Sequence, residues 1–127
     1  MTPEEMKDRT RWFALRVVKL AAALPRNRAG DVFARRMIRS ASSVGANYRA
    51  ACRSRSRAEF VAKLGLVEEE ADETAFWIGM ACDSDLVTAD RVADLLTEAE
   101  ELVSIIVASR KTARSSAPQT KPKKAAQ

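Results

Sequence analysis

The stretch RSASSVGANYRAACRSRSRAEF, residues 39–60, sets five arginines among a run of very small side chains. It could be a helix-turn-helix broken near Gly45, a grip for nucleic acid, or the solvated back of one long bundle helix. The periodicity of its apolar positions decides. Ala34, Met37 or Ile38, Ala41, Val44 or Gly45, Tyr48 and Cys52 recur at the three- and four-residue spacing of a single helical face. That register passes through Gly45 without slipping, whereas a helix-turn-helix needs a change of direction there. The spacing therefore predicts one helix over residues 31–53, then a turn and the start of the next helix.

The same reading extends in both directions. SRAE at residues 56–59 has the form of a capping box, with Ser56 as cap and Glu59 three residues on. The helix that it opens runs to about Cys82, with Phe60, Leu64, Val67, Ala71, Thr74, Ile78 and Ala81 on its inner face. Upstream, Thr2 can cap a first helix, Pro3 suits its first turn and Glu5 completes a second capping box. Met6, Thr10, Phe13, Val17, Leu20 or Ala21, and Leu24 keep the four-three rhythm until Leu24-Pro25, because a residue before proline is pushed out of the α region. Downstream, DSDL forms a loop and Thr88 caps a fourth helix to about Arg114, with Val92, Leu95 or Leu96, Ala99, Leu102 or Val103, and Ile106 inward. From Ser115 on, SSAPQTKPKKAAQ has two prolines and no large apolar residue, and reads as a disordered basic C-terminal tail.

Four amphipathic helices with short connections make an all-α domain, an antiparallel up-down-up-down four-helix bundle over residues 1–114, followed by the tail at 115–127. A chain of 127 residues suits one such core, which buries roughly two thirds of the surface its unfolded form exposes. Gly45 and Gly65 each cost a helix interior up to ~1 kcal/mol. Close approach of neighbouring helices is the reason expected for both.

Composition excludes several function classes. The chain has no histidine, which removes the commonest proton shuttle and metal ligand and every Ser-His or Cys-His pairing. Di-metal bundle sites use a Glu-x-x-His motif, and Glu68, Glu69 and Asp72 point away from the apolar stripe in any case. No metal, cofactor or small-molecule substrate is expected, and no enzyme activity. Cys52 and Cys82 lie at opposite ends of two antiparallel helices, roughly 36 Å apart at 1.5 Å per residue, so they cannot pair within the chain. Free buried thiols suit a reducing compartment. The N-terminal MTPEEMKDRT has no apolar signal core, and no apolar run reaches the ~18 residues of a membrane span. The expected location is cytoplasmic.

Two features exceed what a simple bundle needs. Trp12, Leu15, Val18 and Ala22 on helix 1, and Leu66, Phe76, Trp77 and Met80 on helix 3, lie beside the inward stripes. Such surplus apolar surface points to self-association through Trp12, Leu15, Leu66, Phe76, Trp77 and Met80. Charge is also divided: residues 26–57 hold nine arginines and one acid, and residues 58–85 hold one lysine and eight acids. Arg39 and Arg49 are expected to pair with Glu69, Glu70 and Glu73, within the chain or across a subunit contact. Arg35, Arg36, Arg53, Arg55 and Arg57, with Lys121, Lys123 and Lys124 of the tail, are candidates for phosphate contacts to RNA or DNA. No aromatic residues interleave with them, so such binding should have little sequence preference.

RSASSVGANYRAACRSRSRAEFVAKLGLVEEEADETAFW, with LAAALP upstream, resembles the small bacterial proteins first noticed as products of intervening sequences in 23S ribosomal RNA genes. The likeness covers about residues 10 to 112 and rests on Leu24-Pro25, RSA-S-VGAN, and EF followed by KL. It implies a left-handed antiparallel bundle, assembly into a ring of five, and no known catalytic activity. Relatives that accompany diversity-generating retroelements look like basic pentamers that bind nucleic acid and a reverse transcriptase. This chain departs after Asn47, reading YRAACR where many relatives have an Ile-x-Glu-Gly turn, which lengthens the basic end of helix 2. The resemblance gives Asn47 a structural role near the packing of helices 2 and 3.

Overall fold

The computed structural model describes residues 1–116, which form four helices: α1 (Pro3–Ala23), α2 (Arg28–Cys52), α3 (Arg57–Asp83) and α4 (Ala89–Ser115). α1 opens as its sequence dictates. The Thr2 hydroxyl accepts from the Glu5 backbone N–H at 3.1 Å, and the Glu5 carboxylate accepts from the Thr2 N–H at 2.8 Å. At the other end Leu24 is extended, at φ −70° and ψ 149°, as proline demands of the residue before it.

α2 begins three residues earlier than its apolar rhythm predicts. The Asn27 side chain accepts from the Gly30 N–H at 2.8 Å and so caps the helix ahead of the first periodic residue. Glycine is required at position 30, where a Cβ would overlap the Pro25 carbonyl oxygen as the chain folds back into α2. Inward positions along α2 are Phe33, Met37, Ser40, Ala41, Val44, Tyr48 and Ala51, while Ala34 and Cys52 are only half-buried. The helix continues unbroken through Gly45. A Cβ there would sit 3.7 Å from the Thr10 carbonyl oxygen, an ordinary contact, so close helix approach does not compel this glycine. Gly65 meets no neighbouring backbone either; the atom nearest a Cβ there is Arg110 Nη1, at 3.0 Å.

α3 starts at Ser56, which accepts from the Glu59 N–H at 3.0 Å. The reciprocal half of the box reaches one residue further back than expected, since the Glu59 carboxylate accepts from Arg55 N–H at 2.9 Å. Thr88 caps α4 by accepting from the Arg91 N–H at 3.3 Å.

Phe33 of α2 meets Trp77 of α3, and Arg39 meets Glu70: numbers rise on one helix as they fall on the other, so the pair is antiparallel. α1 packs on α2 and α4, and α3 on α2 and α4, which completes the up-down-up-down bundle. Its centre holds Phe13, Met37, Leu64, Ile78, Leu102 and Ile106, all at or below 2% exposure. Each contributes about 1.5–3 kcal/mol of transfer free energy. Deep in the α2–α3 seam the Ser40 and Thr74 hydroxyls lie 2.8 Å apart, and each also reaches a carbonyl four residues back on its own helix. Cys52 and Cys82 are free, and both are half-buried rather than fully buried. Among the described residues no helix is long and apolar enough to cross a membrane.

Candidate functional site

On the outer α2–α3 seam, cations and acids are satisfied within the chain. Arg39 Nη2 donates to Glu70 at 2.9 Å and to Glu73 at 3.0 Å. The other Glu73 oxygen accepts from the Trp77 indole N–H at 3.0 Å. That indole, aided by Arg39, holds the Glu73 carboxyl below its usual range, and Glu70 raises the Arg39 guanidinium above its own. Arg36, a candidate for phosphate contacts, is exposed and lies 5.6 Å above the centre of the Trp77 ring. Phe33 and Phe76 flank the same ring at 5.9 and 5.0 Å. Trp77 and Met80, expected at a subunit contact, are half-buried against the core, Trp77 beside the Phe33 ring.

Arg57, another candidate for phosphate contacts, is exposed and held by the end of α4. Its Nη1 donates to Ser116 Oγ at 2.7 Å and to the Ala113 carbonyl at 3.3 Å. A guanidinium there satisfies the last turn of α4 and complements the negative end of the helix dipole. The bond ties the α2–α3 connection to the end of α4. Exposed Arg53 and Arg55 therefore share one end of the bundle with Lys111 and Arg114, and none of the four forms an ion pair among the described residues. Arg35 lies near the opposite end of α2, in a cleft with Pro25 and Arg26. Lys121, Lys123 and Lys124 lie outside the described residues.

Arg49 and Glu69 form no ion pair among the described residues. Arg49 sits on the α1 side of α2 beside Arg11 and Leu15, whereas Glu69 is exposed on the outer face of α3, so the two cannot meet within one bundle. Trp12, Leu15, Leu66 and Phe76 remain exposed, at 64%, 48%, 41% and 56%. Leu15 borders a cleft of about 640 Å³ between α1 and α2, floored by Ala14, Ser42, Gly45 and Ala46.

Three polar ties escape sequence reading. Arg9 grips Glu98 and Glu101 across the α1–α4 seam, Arg110 pairs with Glu68 at 2.5 Å, and Ser40 meets Thr74. Each joins residues far apart in the chain, and only the hydroxyl pair carries a local signal, polar residues at inward positions. Asn47 donates to the Ser43 carbonyl at 2.9 Å, a bond within its own helix. Among the described residues no group of three or more Cys, Asp or Glu is placed to hold a metal ion.

The model of the 23S rRNA-intervening sequence protein family matches residues 4–108, the greater part of these four helices. The chain belongs to that family. A solved structure with the same fold is that of a protein of unknown function from the S23 ribosomal protein family of Bacteroides thetaiotaomicron. It superposes with a TM-score of 0.78 and 29% sequence identity, over 84% of this chain and 98% of that one. No curated protein matches the chain.

Proposed function

We propose that this 23S rRNA-intervening sequence protein is a non-enzymatic, self-associating bundle that holds RNA or DNA against its basic end, with little choice of sequence. Arg53, Arg55, Lys111 and Arg114, brought together without ion pairs where Arg57 joins α2–α3 to α4, carry this reading. Cations outside any ion pair keep their attraction for phosphate, and each phosphate neutralised releases a condensed counterion. Exposed Trp12, Leu15 and Phe76 support self-association, and the family resemblance supports a ring of five.

Titration of RNA and of duplex DNA at two salt concentrations tests the basic end. Affinity for duplex should fall with about the third to fourth power of salt if four phosphates are contacted. The double variant R53E/R55E should lose most of the binding while keeping its helicity. Equal binding by that variant, or none by the parent at low salt, would overturn the reading. It would then favour a protein-interaction scaffold, whose arginines serve only ion pairs and caps as Arg39 and Arg57 do.

A further inference from the structure

Two exposed surfaces of the bundle carry opposite charges that form no ion pair among the described residues. One is the α1–α2 groove. Its floor of small residues around Ser42 lies between exposed Leu15, Val18 and Ile38, with Arg49 in its first part and Arg35 in its second. The other is the outer ridge of α3, where Glu69, Phe76 and Asp83 are all exposed. Neither Arg35, Arg49, Glu69 nor Asp83 forms an ion pair among the described residues.

The spacing of the two sets matches. Residues 69, 76 and 83 of α3 are seven apart, as are 49, 42 and 35 of α2. Seven residues make about two turns, or ~10.5 Å, so each set lines up along one side of its helix. On the ridge the order is acid, phenyl ring, acid; along the α2 wall of the groove it is arginine, small hydroxyl, arginine, while the α1 wall opposite Arg49 carries Glu4, Lys7, Asp8 and Arg11.

We propose that the α3 ridge of one copy of this chain lies in the α1–α2 groove of a second copy. Phe76 of the partner subunit then sits over Ser42 between Leu15 and Val18. Glu69 of the partner subunit pairs with Arg49, and Asp83 of the partner subunit pairs with Arg35. The contact deepens the self-association reading above and rests on it. Rising numbers on the ridge meet falling numbers in the groove, so the docked helix runs antiparallel to α2 and parallel to α1. Within one bundle α1 and α3 point the same way, and the two copies therefore point the same way too. Ridge and groove are different patches, so every copy offers one of each. Such a head-to-tail contact repeats and closes into a ring when its rotation closes.

Light scattering and sedimentation of the full chain test the contact, with circular dichroism to confirm that each variant stays helical. The parent should assemble to a multiple of its 14.0 kDa mass. R49E and E69R should each weaken assembly at least tenfold, and the double variant R49E/E69R should recover most of the loss by restoring opposite charges. F76A should weaken assembly without changing the helicity. Single variants that assemble like the parent, or a double variant no better than either single, would overturn this interface and leave self-association standing. A parent that stays at 14.0 kDa at every concentration would overturn both.

Discussion

Arg9 holds Glu98 in a two-pronged grip across the α1–α4 seam, Nε to Oε2 at 2.7 Å and Nη2 to Oε1 at 2.9 Å, while Nη2 also donates to Glu101 at 2.7 Å. Only 25% of the Arg9 side chain and 17% of Glu98 is exposed, so water screens this pair less than an open surface pair. Parallel N–H donors match a carboxylate in a way that a lysine ammonium cannot.

Arg9→Ala should destabilise the bundle by about 1–3 kcal/mol, since it leaves a partly buried carboxylate without its donor. Arg9→Lys should recover only part of that. Urea unfolding monitored by circular dichroism measures both. A loss within the ~0–1 kcal/mol of exposed pairs would place the grip among ordinary surface contacts.

The glycines separate two kinds of constraint. Gly30→Ala drives a methyl group into the Pro25 carbonyl and should cost about 1–3 kcal/mol. Gly79→Ala meets nothing within 4 Å on the interior of α3, and should instead stabilise by up to ~1 kcal/mol. Opposite shifts in the thermal midpoint of the two variants are the expected result.

Ser40 and Thr74 form a hydroxyl pair with no exposure to solvent. Ser40→Ala and Thr74→Val should each cost about 0.5–1.5 kcal/mol. The double variant should cost less than the two together, because the second substitution removes a group whose partner is already gone. A double-mutant cycle on unfolding free energies gives the coupling, and strict additivity would show that each hydroxyl is satisfied by its own helix alone.

Tyr48 makes stability depend on alkaline pH. Burial, followed by the neighbouring Cys52, pushes its phenol up to about 12 from an ordinary 10.0. The unfolded chain then releases the proton before the folded one does, so the folded state holds more protons between those values. Stability is full below pH 10 and falls by up to about 1.4 kcal/mol per pH unit as pH approaches 12. Tyr48→Phe should remove this part of the decline, as seen in unfolding free energies collected across that range. Parent and variant that decline in parallel would contradict the shift.

The helices and most of their caps were legible in the sequence because their causes are local. Thr2, Ser56 and Thr88 act within three residues, and the Leu24-Pro25 stop within one. The Asn27 cap precedes the first periodic residue, so periodicity alone places the start of α2 too late. Paired alternatives such as Met37 or Ile38 and Leu95 or Leu96 stayed open, since adjacent residues both fit a wide stripe until a neighbouring helix selects one. The charge division was equally visible, but its use was not. Arg36 went to an indole ring and Arg57 to the end of α4, partners 41 and 59 residues away in sequence.

Sequence by itself determined the four helices, their inward faces and the separation of positive from negative segments, all of which follow from spacing over a few turns. Tertiary structure alone decided which charges are spent inside the bundle and which remain at its surface. A guanidinium reaches only a few ångströms, and what lies within that reach depends on how helices remote in sequence are set side by side.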